Sequence, residues 1–462
     1  DERNEKLFPA QHEGSDLLQG GREERREGMI FRNKLVLSVV AVCLSVPLFS
    51  YGQTPSETPP PPSDPPTLNI PEVKETTLAN GLKVAIIQKR GLPIVTASLL
   101  VKSGANEEQN REAGLANMTA ALLTKGTEWR TATDIAEQIE FLGASIGSGA
   151  GWNSSSVTVN VKKNSLGRAL SIMSDSAIRP TFPKKEVQLL KKQALDGFKV
   201  SMKQPGALFS YVSSRYTFGE HLTGGTPRTI GSLDRKSVVR FHNKHYRPEN
   251  SVLIFTGDIS EKTAFGFAKL FFGGWQKGAG DSAETDNRTG TTDPNSVGPL
   301  VNKMLVIDLP NSGQAAVGYA KRLYEGRIAC DEAGTDCGLN EVFYPATVLN
   351  SVLGGGYSAR LNQEIRLKRG LSYGARSGFS WRRSMTNFNA FTQTKNESAA
   401  QVAELIRIEI EKLANINISD KEMTPRKAVV TGGFGRGLQT NNGLAGRLRD
   451  LYLYGINPSE LN

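Results

Sequence analysis

One arginine and one tyrosine, seven positions apart, carry the side chains that peptide chemistry requires. Arg366 and Tyr373 lie in the stretch 353–377, which contains a run of three glycines, a predicted short helix and the start of a predicted strand. A guanidinium group and a phenolic hydroxyl can hold a peptide carbonyl and stabilise the negative charge that develops on its oxygen under attack. The pair is a candidate for substrate binding and transition-state stabilisation.

The neighbouring residues predict how the two side chains are positioned. The glycines at 354–356 lack a Cβ, so they can adopt positive φ in a tight turn that leads into a helix over 358–368, which Gly370 ends. Arg366 falls in the last helical turn, where the helix dipole favours a cation, and Tyr373 opens the next strand. We expect their polar ends to converge. The same spacing also fits a solvated arginine and a packing tyrosine without function.

The run 354–377, GGGYSARLNQEIRLKRGLSYGARS, resembles the C-terminal-half signature of the pitrilysin/insulinase-like zinc peptidases, which include the mitochondrial processing peptidases. The resemblance extends over nearly all of 73–462. It implies that Arg366 and Tyr373 contact the peptide substrate and steady the tetrahedral intermediate.

The metal motif of that family, H-x-x-E-H on a helix, is represented here only by its surroundings. Residues 104–108 and 113–127 match the family pattern, but Asn117, Ala120 and Ala121 occupy the positions of histidine, glutamate and histidine. Alanine can neither bind zinc nor take up a proton, and asparagine is a weak oxygen donor. We expect no metal or other cofactor in this chain. The resemblance implies a zinc-bearing homologous subunit as its partner, as in the two-subunit bacterial members.

The remaining histidines and cysteines indicate no other catalytic site. Beyond the N-terminal segment the histidines are His221, His242 and His245. The last two have ligand-like spacing, but they precede the predicted strand at 246–257, where the family has structural residues. Cys330 and Cys337 could close a small disulfide loop in an oxidising compartment.

The first 72 residues divide into three segments of different composition. Residues 1–28 are highly charged and are predicted to be unfolded, or to be upstream read-through before the true start at Met29. Residues 29–52 have the positive, apolar and small-residue regions of a secretory signal peptide, with a signal anchor as the alternative. Residues 53–72 are a proline-rich linker. We expect export to a bacterial periplasm or the exterior, with membrane contact only through an uncleaved signal segment.

The rest of the chain is predicted to be a duplicated α+β protein. With 462 residues it can form two cores, and the strand–helix pattern around 157–186 recurs 232 to 236 positions later. We predict a peptidase-like domain over 73–275, a linker over 276–300 and a second such domain over 301–462, both α/β sandwiches of the insulinase type. The counterpart of the strand 250–255 would fall beyond residue 462, so we expect the second domain to be truncated.

The distribution of charge and the presence of both Arg366 and Tyr373 limit the functions that this chain could have. The net charge of +10 is spread along the chain, so we expect no nucleic-acid partner. One interpretation is that the chain is a non-catalytic subunit, which supplies Arg366 and Tyr373 in trans to a zinc-bearing partner for peptide hydrolysis. The alternative is a non-enzymatic scaffold or peptide-binding member of the same fold. Retention of both residues favours the first reading.

Overall fold

The computed structural model describes residues 70, 72–219, 221–278, 304–330 and 337–461. The predicted upstream segment and signal peptide, nearly all of the proline-rich linker and most of the interdomain linker lie outside these residues. Within the described ranges, no helix is long and apolar enough to cross a membrane.

Six strands of the first half form one mixed sheet. They are β1 (Lys74–Thr77), β2 (Lys83–Gln88), β3 (Ile94–Val101), β4 (Ser145–Ala150), β5 (Ser155–Lys162) and β6 (Ser251–Gly257). Their order is β1-β2-β6-β3-β5-β4. Among the described strands of this sheet, only β2 and β6 pair in parallel. The residues of β5 alternate between buried and more exposed positions, and its three valines are all buried, as expected for a strand with one face on a core. Every residue of β6 is buried because both faces of the sheet are covered at its centre.

The described residues of the first half also form eight α-helices. They are α1 (Leu115–Leu122), α2 (Ala132–Phe141), α3 (Leu166–Ile178), α4 (Lys184–Ser201), α5 (Pro205–Phe218), α6 (Pro227–Ser232), α7 (Arg235–His245) and α8 (Glu261–Phe272). Side-chain caps fix several of their starts. Thr131 and Asp134 form a capping box before α2, and Ser260 accepts a hydrogen bond from the Thr263 amide before α8.

In the second half, residues 304–330 and 337–461 form a smaller sheet, a ribbon and four α-helices. These elements are β7 (Gln314–Leu323), β8 (Ile328–Cys330), β9 (Cys337–Leu339), α9 (Phe343–Leu353), β10 (Ala375–Trp381), β11 (Thr386–Lys395), α10 (Ala399–Asn415), α11 (Asp420–Leu438) and α12 (Asn441–Tyr454). The antiparallel sheet has the order β10-β11-β7, and β8 pairs with β9. A disulfide joins Cys330 to Cys337 across that ribbon.

The two halves repeat one arrangement of elements. The succession β4, β5, α3, α4, α5 in the first half is matched by β10, β11, α10, α11, α12 in the second. The helices α4 and α11 begin at Lys184 and Asp420, and α5 and α12 begin at Pro205 and Asn441, so both pairs are 236 positions apart (420 − 184 and 441 − 205). The predicted duplicated α+β fold is confirmed. Among the described residues, β7 pairs with a strand on one side only, whereas its counterpart β3 pairs on both; truncation of the second domain stays a prediction.

Each half covers the outer face of the other half's sheet with one helix. Leu444, Leu448 and Leu451 of α12 pack in one cluster with residues of β2, β3 and β6. In return, α5 lies against β7 and β11, where the ring of Phe209 stacks on that of Phe391 at 4.7 Å. The inner face of the first sheet packs on helices of its own half. The halves therefore share two apolar interfaces.

Leu448→Ala tests this shared packing. Leu448 is fully buried on α12, so its truncation leaves a cavity beneath the first sheet and should lower the free energy of unfolding by about 2–5 kcal/mol. Urea unfolding followed by circular dichroism measures the change. Val429→Ala on the exposed side of α11 is the control and should cost little. An equal, small effect of both variants would contradict the packing of α12 on the first sheet.

Candidate functional site

The guanidinium group of Arg366 lies close to two tyrosine rings. Its Cζ is 4.9 Å from the ring centroid of Tyr373 and 4.9 Å from that of Tyr357. The structure thus brings together the predicted pair, Arg366 and Tyr373, and adds a second tyrosine that the sequence analysis did not single out. Cation–π attraction operates over such distances and keeps the guanidinium plane beside the rings.

The helix that carries Arg366 differs from the predicted one. Helical structure begins at Arg360 rather than at residue 358, and Asn362–Leu367 forms a π-helix, a rare wide turn often found at functional sites. Gly370 ends the helix as predicted, with φ +63°. The amides of Gly370 and Leu371 donate to the carbonyls of Arg366 and Ile365 over 2.9 Å each. These bonds cap the turn from which Arg366 projects.

Two of the three glycines before this helix, Gly354 and Gly355, are required for space, whereas Gly356 has open space around it. None of the three has positive φ, so that part of the prediction is wrong. A Cβ on Gly354 would lie 2.3 Å from the amide nitrogen of Ser377, and one on Gly355 would lie 2.9 Å from the carbonyl oxygen of Asn350. Glycine therefore allows β10 to pass directly against the end of α9.

Tyr373 has an exposed side chain on a firmly anchored backbone. Its side chain is 90% exposed, and it lies two residues before β10 rather than at the start of the strand. On one side of it, the hydroxyl of Thr394 donates to the carbonyl of Leu371 over 2.6 Å. On the other, the hydroxyl of Thr392 donates to the carbonyl of Gly374 over 2.8 Å. Two bonds to β11 thus hold the loop while the phenol faces solvent.

Helix α1 carries the residues at the degenerate zinc-motif positions. Asn117 is exposed, Ala121 is partly buried and Ala120 is completely buried, its carbonyl accepting a hydrogen bond from Ser148 on β4 at 2.7 Å. One amide and two methyl groups do not fit zinc, which binds imidazole, thiolate or carboxylate ligands. Across the described residues, no group of three or more His, Cys, Asp or Glu side chains could hold a metal ion.

A buried carboxylate fixes the start of α1. Glu108 accepts hydrogen bonds from the amides of Gly114 and Ala116 at 3.0 and 2.5 Å and lies 2.9 Å from Nε2 of His221. Burial raises the pKa of Glu108, while the hydrogen bond from His221 opposes that rise. Gly114 precedes the helix with φ +97°. Sequence reasoning missed this pair, since Glu108 and His221 are far apart in the chain.

The other two histidines are packing residues. Nε2 of His242 lies 2.9 Å from the carbonyl oxygen of Ala177, and its ring stacks on that of Tyr246. The ring of His245 packs on Phe241. Burial lowers the pKa of both imidazoles, and that of His245 falls to about 4. Their spacing resembles that of metal ligands, but the two rings belong to the core.

Comparison with known proteins agrees with this fold. The sequence profile described as Insulinase (Peptidase family M16) matches residues 83–225, and the profile described as Peptidase M16 inactive domain matches 232–428. A Bacillus subtilis protein named "Uncharacterized zinc protease YmxG" is 22% identical over 374 residues, which cover 80% of this chain and 85% of the relative.

Solved structures show the same architecture. The peptidase M16 inactive domain from Pseudomonas fluorescens superposes with a TM-score of 0.68 at 24% identity, covering 84% of this chain and 90% of that one. The periplasmic protease PqqL from Escherichia coli gives a TM-score of 0.59 at 16% identity, covering 84% of this chain and 43% of PqqL. The fold is that of the two-domain M16 peptidases. The chain belongs to the insulinase (M16) peptidase family.

Because Asn117, Ala120 and Ala121 occupy the zinc-motif positions on α1, we predict that the purified chain holds no stoichiometric zinc after dialysis. The double variant Asn117→His/Ala121→His is the positive control, because it places two imidazoles four positions apart on one helix face and should gain measurable zinc. Elemental analysis of both proteins compares them. One tightly held zinc per wild-type chain would show that the chain has a metal site elsewhere.

The buried His245 predicts a loss of stability in acid. Above its ordinary pKa of 6.5 the imidazole is neutral in both states; as the pH falls toward 4, only the unfolded state takes up the proton. The free energy of unfolding should therefore fall, by at most about 3 kcal/mol from this group. His245→Phe keeps an aromatic ring and should flatten the decline between pH 6.5 and 4 in urea unfolding. Identical declines in both proteins would contradict the assignment.

Proposed function

We propose that this chain is the non-catalytic subunit of an exported heteromeric zinc peptidase, and that Arg366 and Tyr373 act on a peptide held at the zinc of a homologous partner. The observation that carries the proposal is a contrast within one chain. The Arg366–Tyr373 pair is assembled beside an anchored loop, whereas α1 carries an asparagine and two alanines where the zinc motif has histidine, glutamate and histidine. Substrate recognition has been kept without hydrolytic chemistry.

The state of the Arg366 side chain supports a ligand-binding role. Among the residues that the structure describes, its N–H groups meet no hydrogen-bond acceptor, and its contacts are the two rings. A guanidinium edge with free donors can hold a peptide carbonyl, and the exposed hydroxyl of Tyr373 can donate to the same oxygen. In the assembled enzyme the partner's zinc would supply the activated water. Arg366 and Tyr373 would orient the carbonyl and stabilise its developing negative charge.

Export is part of the proposal. Residues 29–52 have the pattern of a signal peptide, the Cys330–Cys337 disulfide suits an oxidising compartment, and PqqL, which has the same fold, is described as periplasmic. A heteromeric peptidase is supported by two findings: relatives are named zinc proteases, and this chain matches the inactive-domain profile.

A peptide-binding role without hydrolysis is the second candidate. Strand β4 lies at the edge of the first sheet and pairs only with β5 among the described strands. Its sequence, SIGSGA, alternates exposed and partly buried residues, and its two glycines have open space around them. An extended peptide can add to such an edge through backbone hydrogen bonds. This favours peptide recognition over a purely architectural role.

The first proposal can be tested by purifying this chain, tagged and at full length, together with the partner subunit that it binds. The complex should contain zinc and cleave a library of internally quenched peptides. Tyr373→Phe removes only one hydroxyl and should lower the rate about a hundredfold while leaving subunit binding unchanged, because it deletes one donor to the developing oxyanion. Arg366→Ala should weaken both peptide binding and rate.

Matched variants control for charge and for ring chemistry. Arg369→Ala removes the same charge from the end of the same helix, and Tyr344→Phe removes a hydroxyl from another exposed tyrosine. Both should retain activity. Full activity of Tyr373→Phe and Arg366→Ala would reject the in-trans role. Peptide binding without cleavage by any purified complex would instead favour the second candidate.

A further inference from the structure

The ring centroid of Tyr357 lies 4.9 Å from Cζ of Arg366, although Tyr357 is 62% exposed. A tyrosine placed there for burial alone would gain little from that position. Two aromatic rings close to one guanidinium limit its rotation. We define the clamp as the guanidinium of Arg366 together with the rings of Tyr357 and Tyr373.

The loop that carries Tyr357 is tied down on both sides of the ring. Nδ2 of Asn362 donates to the carbonyl of Tyr357 over 2.6 Å. One residue later, Arg426 of α11 donates to the hydroxyl of Ser358 over 2.7 Å and also to the Ser358 carbonyl. Such anchoring fixes where the ring can stand, so the clamp does not depend on the weak attraction between the rings and the cation alone.

Asn362 connects the two loops of the clamp. Its side chain is buried, and Oδ1 accepts a hydrogen bond from the amide of Ala375 at 3.4 Å. Ala375 begins β10 two residues after Tyr373, while Nδ2 of the same side chain holds Tyr357. A single buried amide therefore spans the two backbone segments whose rings lie close to Arg366. Replacing the Asn362 side-chain amide would remove the hydrogen-bond donor of the Tyr357 carbonyl.

We propose that Tyr357 and Asn362 are positioning residues for Arg366: Tyr357 holds the plane of the guanidinium and Asn362 sets the separation of the two loops. Among the described residues the N–H groups of Arg366 meet no hydrogen-bond acceptor, so a guanidinium held in this way can donate to a planar pair of oxygens or to a peptide carbonyl. The effect on turnover rests on the proposed function, whereas the geometry of the clamp does not.

Turnover of the assembled pair tests the positioning role. Tyr357→Leu removes the ring, and kcat/KM should fall roughly tenfold, as expected from the loss of one cation–π contact. Tyr357→Phe keeps the ring and should restore the wild-type value. Tyr324→Leu is the matched control, because Tyr324 is 64% exposed and stands over a different arginine, Arg322. Equal activity of Tyr357→Leu and the wild type would overturn the proposal.

A nuclear magnetic resonance readout separates the clamp from the proposed function. In the full-length chain labelled with 15N-arginine, the Nε–Hε signal that disappears in Arg366→Lys belongs to Arg366. Ring currents should shift it upfield, and Tyr357→Leu or Asn362→Asp should reduce that shift, whereas Tyr357→Phe and Tyr324→Leu should not. An unchanged signal in Tyr357→Leu would overturn the clamp. The expected shifts in a chain whose complexes cleave no peptide would support the clamp while rejecting the peptidase role.

Discussion

Each sheet of this chain has an outer apolar face that helices of its own half leave open, and the exchange of α5 and α12 closes both faces. The exchange places Leu448 under the first sheet and Phe209 on the second. Burial of these faces is the largest favourable contribution available at the junction, since it removes apolar surface from water. A further contact crosses the halves where the guanidinium of Arg382 lies 3.6 Å from the ring centroid of Trp152. Burial lowers the pKa of Arg382 to about 9, which leaves it charged at neutral pH.

This packing gives the Arg366 clamp a rigid base. Leu361 and Ile365 are fully buried in the core of the second half; Leu361 immediately precedes the π-helix and Ile365 lies within it, next to Arg366. Hydrogen bonds to α11 and β11 hold the loops on either side of this helix. Preorganised donors of this kind need no rearrangement when charge develops on a substrate oxygen. The rigidity of the clamp therefore does not depend on α1, which carries Asn117, Ala120 and Ala121 at the zinc-motif positions.

The sequence predicted those features that depend on local order. The convergence of Arg366 and Tyr373 and the helix end at Gly370 followed from spacing and turn chemistry, and the repeated strand–helix pattern predicted the duplicated fold. Features set by distant contacts were missed: the steric need for Gly354 arises from Ser377, and the clamp ring of Tyr357 is placed by Asn362. The π-helix escaped prediction because its wider turn has no distinct apolar period. The exchange of α5 and α12 could not be deduced either, since an amphipathic helix does not specify which sheet it covers.

The proposed role of Tyr373 requires that its side chain touches the peptide on which the partner acts. Photo-cross-linking tests this contact most directly, with p-benzoylphenylalanine in place of Tyr373 in the assembled pair and a biotinylated peptide as the probe. We expect a peptide adduct at position 373, competed by unlabelled peptide, and none when the same group replaces Tyr344, which is also exposed. Adducts of equal yield at both positions, or none at 373 in a pair that cleaves the peptide, would contradict it.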